Sequence, residues 1–107
     1  MGTPIEEARW VLRAQCGDRE ALEHLLRSVQ SSLRRYLFGL VGAGEADDVL
    51  QDALILVARK LSYLDEPLVF RAWAFRIASR EAFRHLKRRK RLAEQEIEDA
   101  TLDEVAA

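Results

Sequence analysis

The sequence predicts an all-α fold, a compact bundle of about four helices, on three observations. Apolar residues recur at spacings of three and four over long stretches, the repeat of one buried helix face. β-branched residues are few and nowhere alternate with polar ones as a half-buried strand requires. Capping residues, glycines and prolines fall where such helices would begin and end. At 107 residues the chain has room for one domain and one modest core.

The elements follow in order. Thr3-Pro4-Ile5-Glu6 is a capping box with proline at the first helical position, so a helix begins there. Ile5, Ala8 and Leu12 carry its apolar stripe, and Gly17 stops it as a left-handed cap. Asp18 caps a second helix with the stripe Leu22, Leu25, Leu26, Val29, Leu33, Tyr36, Leu37 and Leu40. Gly39, Gly42 and Gly44 loosen the connection that follows. A third helix is expected from about Glu45 to Leu61, burying Ala46, Val49, Leu50, Ala53, Leu54 and Val57. After a polar break at Ser62–Pro67, a last helix runs from about Leu68 to the low nineties, across the cationic block. Beyond it, AEQEIEDATLDEVAA has few large apolar residues and reads as a frayed helix end or linker. The expected division is a helical domain at 1–91 and an acidic helix end, or the start of an interdomain linker, at 92–107.

Composition narrows the function classes. Hydrophobic residues make up 49% and charged ones 33%, a globular rather than a disordered profile. No apolar run approaches the roughly 20 residues that span a bilayer, and the acidic N-terminus lacks the apolar stretch of a secretory signal. Cys16 is alone and cannot form an internal disulfide, so the chain reads as cytoplasmic, without membrane insertion. His24, His85 and Cys16 have no spacing that builds a metal site, and GAGEADD lacks the lysine of a phosphate-binding loop. His24 fits a surface or boundary position better than a ligand. Neither a cofactor, a metal nor an enzymatic activity is expected.

A net charge of −1 conceals strong patterning. Residues 1–70 hold 8 basic and 11 acidic side chains, residues 71–91 hold 9 basic and only Glu81, and residues 92–107 hold 6 acidic and none basic. A cationic block between anionic stretches points to a polyanionic partner for one and a basic partner for the others, or simply to solvated faces. Inside the block Trp73, Arg76, Arg80, Arg84, Lys87, Arg88 and Arg91 recur at helical spacing, with Phe75, Ala78, Ala82 and Leu86 roughly opposite. Guanidinium groups bind phosphates and an aromatic face stacks on unpaired bases, so the stripe suits a nucleic-acid surface. Trp73 serves equally well as a core residue. On the third helix Asp47, Asp48, Gln51 and Asp52 form an anionic patch. Early carboxylates favour the helix dipole, but Asp48, Gln51 and Asp52 also share one side that could meet a basic protein surface.

Three segments resemble region 2 of sigma factors of the extracytoplasmic-function group, in the sigma-70 family. EADDVLQDALILVARKL looks like the A-E-D-x-x-Q-[ED] helix of region 2.2. FRAWAFRIASREAFRHLKRRKR is similar to F-x-x-W-L-[YF]-R-I-A-x-N-x-x-x-D-x-x-R-[RK] of regions 2.3 and 2.4, and CGDREALEHLLRSVQSSLRRYL to the G-D-x-x-A-[FL]-x-x-L opening. Each motif is weak alone, but the ordered triplet is specific. The resemblance implies a transcription initiation factor domain that docks on RNA polymerase core and recognises and melts the promoter −10 element. By it, Asp48, Gln51 and Asp52 grip the coiled coil of the beta-prime subunit. The Ser62–Leu68 loop, with Ser62, Tyr63, Leu64 and Asp65, captures an extruded base. Phe70, Trp73, Arg76 and Arg80 fall on the helix that meets the melted, single-stranded non-template strand and the adjoining duplex; Arg84, Lys87 and Arg88 of the cationic stripe continue that DNA surface.

The chain departs from the pattern at three places: Arg80 stands for the usual asparagine, Arg84 for the usual aspartate, and Ala74 for leucine. No second helix-turn-helix domain follows residue 91, so region 4 is missing and the chain reads as an isolated domain. The alternatives are a helical interaction module whose basic face binds an acidic partner such as an anti-sigma factor, or a generic duplex-DNA-binding domain, although no helix-turn-helix signature is evident.

Overall fold

Thr3 opens the first helix as its chemistry dictates. Its hydroxyl accepts from the Glu6 N–H at 3.2 Å, and the Glu6 carboxylate accepts from the Thr3 N–H at 3.4 Å. The computed structural model describes residues 2–106, with side chains through residue 104. Its helices are α1 (Pro4–Gln15), α2 (Arg19–Val41), α3 (Ala43–Lys60) and α4 (Phe70–Ala106), with 3-10 turns at Leu61–Tyr63 and Pro67–Val69. No strand occurs among the described residues.

Gly17 ends α1 with φ +95°, a conformation in which a side chain would be strained. Its N–H donates to Ala14 O and the Asp18 N–H donates to Arg13 O, the paired bonds of a Schellman cap. Asp18 then caps α2 by accepting from the Ala21 N–H, while Arg13 donates to its other oxygen at 2.7 Å. The Ala21 N–H first, and Arg13 second, hold the Asp18 carboxyl below its usual range. Trp10 of α1 stacks on His24 of α2, ring centroids 3.9 Å apart, which leaves His24 at the surface.

The α2 seam is Ala21, Leu25, Val29, Leu33, Leu37 and Val41. It packs against Ala46, Val49, Leu50, Ala53 and Val57 of α3 and Phe70, Ala74, Ile77, Ala78 and Ala82 of α4. Burying each of the large members is worth roughly 1.5–3 kcal/mol. Leu22, Leu26, Leu40 and Leu54 lie at the rim, half-buried, and Tyr36 is exposed, its hydroxyl 2.7 Å from Ser79 Oγ. The α4 core line is displaced from the expected one, since Phe75 and Leu86 are half-buried while Phe70, Ala74 and Ile77 point inward. Three alanines let α4 approach its neighbours closely, and that contact chooses the buried line.

Three further expectations are corrected. Ile5 and Leu12 are 64% and 53% exposed, and Val11 takes the inward place beside Ala8. A short helix with two half-apolar edges buries whichever edge its neighbours cover; here α2 and the Pro67–Val69 turn cover the Ala8–Val11 edge. The α2–α3 connection is one residue rather than a loosened segment, because Gly42, at φ +86°, reverses the chain alone. Its N–H donates to Phe38 O and its carbonyl accepts from the Ala46 N–H, so α3 starts at Ala43. Finally, α4 does not end near residue 91 but continues through Ala106. The stretch after Arg91 contains no glycine or proline and is rich in Ala, Glu, Gln and Leu, which propagate a helix. Gln95 also donates to Asp99 at 3.1 Å. At about 1.5 Å per residue α4 is roughly 55 Å long, and it dominates the 65 Å long axis of the molecule.

Candidate polymerase and nucleic-acid interfaces

The α3 patch separates by function once its helix start is known. Glu45, in the first turn, is spent internally: Arg89 of α4 donates to it at 2.6 Å, and His85 Nε2 lies 3.0 Å away without a well-aligned hydrogen bond. His85 foremost, and Arg89 after it, hold the Glu45 carboxyl below its usual range. Asp47 is also spent, accepting from Arg34 Nε at 2.8 Å; that bond lowers its pKa and raises the arginine's. Asp48, Gln51 and Asp52 are exposed, and neither carboxylate has an ion-pair partner among the described residues. They lie beyond the first turn, where the helix dipole has largely faded, so capping does not account for them. Ile55, 42% exposed, shares their face one turn on. Its place outside the buried stripe was the only mark of it in the sequence.

The α4 row stands clear of the body. Arg76, Arg80, Arg84, Lys87, Arg88 and Arg91 are exposed, and Trp73 is half-buried. Three of the basic residues from 71 to 91 have carboxylate partners: Arg71 with Glu7 at 3.0 Å, Arg84 with Glu81 at 3.5 Å, and Arg89 with Glu45. Arg76, Arg80, Lys87, Arg88, Lys90 and Arg91 have none among the described residues. Phe83, 59% exposed, sits between Arg80 and Lys87 on the same face, an aromatic that sequence analysis did not single out. Its spacing of three and four from those cations was the missed signal.

The loop and the start of α4 divide the remaining predicted residues. Ser62, Tyr63 and Asp65 are exposed, Tyr63 by 81%. Leu64 is 8% exposed and Phe70 wholly buried, so both side chains belong to the core and neither offers an open contact surface. The Phe70 ring lies against Trp73, centroids 6.1 Å apart, and the indole is half-buried. Trp73 is thus both packed and available. A separate groove of about 600 Å³, lined by Arg27, Gln30, Ser31, Arg34, Arg35 and Phe38 on α2, touches none of the residues singled out from sequence.

No group of three or more potential ligands is placed to hold a metal among the described residues, and no described helix is long and apolar enough to cross a membrane. Four packed helices with an anionic face on one and a cationic, aromatic row on another define an all-α domain built around two oppositely charged surfaces. The profile describing sigma-70 region 2 matches residues 22–92, and the chain belongs to that family. Neither the curated proteins nor the solved structures compared with it gave a significant match. Family membership makes it a transcription initiation domain, of a kind that is not an enzyme family, with RNA polymerase core and promoter DNA as its partners. The match leaves α1 and the acidic end of α4 outside.

Proposed function

We propose that this chain is region 2 of an extracytoplasmic-function sigma factor, acting in the cytoplasm through residues 1–91. In this reading α3 docks on the beta-prime coiled coil through Asp48, Gln51 and Asp52, with Ile55 as an apolar anchor. The Ser62–Asp65 loop and the α4 row hold the melted non-template strand of the −10 element. The observation that carries it is the separation of unneutralised charge: carboxylates on α3, and cations along α4, that have no partners among the described residues. A domain that paired its own charges would have little left for a basic protein and a polyanion at once.

The chemistry follows from the placement. Extruding a base costs a few kcal/mol, and stacking on an aromatic returns about 1–3 kcal/mol per base. Tyr63, Trp73 and Phe83 supply three such faces along the path of the cations, which bind the phosphates between them. The Ser62 hydroxyl and Asp65 carboxylate are exposed where a base edge could meet them. Phe70 and Leu64 act from beneath, as buttress and pin. Residues 92–106 continue α4 as helix beyond the cationic row.

The test is binding of the Asp48→Arg and Asp52→Arg variants to a beta-prime coiled-coil fragment. Each is expected to bind more weakly by about 2 kcal/mol or more, on the order of thirtyfold, with its melting temperature nearly unchanged. Affinity equal to the unmodified chain rejects α3 as the dock. The chain is also expected to prefer single-stranded over duplex DNA; the reverse preference favours a generic duplex binder.

A further inference from the structure

The loop proposed to capture a base is held from α1, outside the matched family region. Gln15, at the end of α1, places Nε2 2.9 Å from Leu61 O and 2.9 Å from Leu64 O. Both partners are carbonyl oxygens, so only a group with at least two N–H donors satisfies them; a carboxylate would face two acceptors. Leu61 O also accepts from the Leu64 N–H at 3.1 Å, which closes the 3-10 turn. One amide therefore ties both ends of a turn whose outward residues are Ser62 and Tyr63. The Leu61 and Leu64 side chains, 3% and 8% exposed, pin the same two points from inside. The Glu7–Arg71 pair fixes the start of α4 to α1 as well, so the segment between Leu61 and Arg71 is framed at both ends by one short helix.

We propose that Gln15 is a positioning residue that sets the base selectivity of the Ser62–Leu68 loop. The proposal rests on the reading that this loop captures a base, and it adds what gives the loop its shape. An apolar residue of the same length would fill the space but strand the Leu64 carbonyl and leave Leu61 O with the turn bond alone, and the turn would open to let water reach them. Selectivity needs the contacting groups held within about half an ångström, whereas phosphate attraction along α4 tolerates a looser loop. Loss of the clamp therefore lowers discrimination between bases more than it lowers binding.

The experiment uses the full chain bound to core RNA polymerase and a library of duplexes bearing an unpaired bubble randomised at its open positions. Unmodified chain, Gln15→Met, Gln15→Glu and Gln15→Lys are compared by the sequences they enrich, and by hydrogen exchange at the Leu64 amide. The unmodified chain is expected to favour one base in at least one open position. Met and Glu, which cannot donate, are expected to lower that preference and the Leu64 protection roughly tenfold, with binding of unselected DNA changed less than about twofold. Lys, a multiple donor, is expected to retain both. If the unmodified chain selects a base and Met and Glu select it equally well, the Gln15 proposal is overturned while base capture stands. If the unmodified chain selects nothing, base capture fails and the proposal falls with it. Lost selectivity with unchanged Leu64 exchange also overturns it, because the effect would not then pass through the turn.

Discussion

Phe70 separates two roles that the same residue cannot fill equally. Its motif position implies contact with the melted strand, whereas the structure leaves none of its surface accessible and sets its ring against Trp73. Phe70→Ala removes a fully buried ring, a change that costs about 3–5 kcal/mol. A domain of this length has a total of about 5–15 kcal/mol, so the loss is a large fraction of its stability. At roughly 5 °C per kcal/mol, the midpoint is expected to fall by about 20 °C. Phe70→Leu keeps most of the volume and is expected to cost about 1 kcal/mol, or roughly 5 °C. Thermal melts followed by circular dichroism measure both. Single-strand binding is then read by fluorescence anisotropy in the cold, well below the midpoints. Phe70→Leu is expected to bind single-stranded DNA as the unmodified chain does, because no ring surface is available to a base. Phe83→Ala is the mirror case: an unchanged midpoint, with affinity lower by about 1–3 kcal/mol if a base stacks there. A Phe70→Leu variant with an unshifted midpoint and abolished DNA binding would refute the assignment of this ring to the core.

The other surfaces give equally direct expectations. Arg80→Ala is expected to reduce the salt slope of single-strand binding by roughly 0.7, about equally across sequences, and Arg84→Ala by less, because Glu81 lies 3.5 Å from it. A larger change for Arg84 would show that Glu81 does not hold it back. Glu45 has a folded-state pKa below its ordinary 4.5, so its stabilising contribution is present above that value and disappears as pH falls through the lowered one. The difference in melting temperature between the unmodified chain and Glu45→Gln is accordingly expected to shrink as pH drops below 4.5; a difference that widens there contradicts the Arg89 and His85 contacts. Glycine at Ala93 and Ala100, at about 1 kcal/mol each, is expected to lower helix content without moving the midpoint of the core, since both positions are exposed. A midpoint shift of several degrees would mean that the far end of α4 packs on something.

Features governed by near neighbours were legible in the amino-acid sequence. The Thr3–Glu6 box, the Gly17 stop and the Asp18 cap each depend on residues within a few positions, and the structure contains them as read; of the α2 stripe Leu25, Val29, Leu33 and Leu37 are buried as expected, while Ala21 and Val41 join them and Tyr36 lies outside. The α4 cations were legible for the same reason, since a 3.6-residue repeat puts them on one face whatever packs opposite. Continuation of α4 past residue 91 was also a local matter; its scarcity of large apolar residues suggested fraying while its helix-forming composition sustained the helix. What only the tertiary structure decided is depth and pairing. Whether Val11 or Leu12 turns inward, and whether Phe70 faces DNA or the core, depends on which surfaces lie across from them. That Asp47 and Glu45 are consumed while Asp48 and Asp52 are not depends on arginines elsewhere in the chain, at Arg34 and Arg89. Gln15 reaches its carbonyls across a sequence separation of 46 and 49 residues. Helix periodicity fixes direction around one axis, but burial and ion pairing are properties of two elements meeting, and one element's pattern holds no record of its partner's rotation.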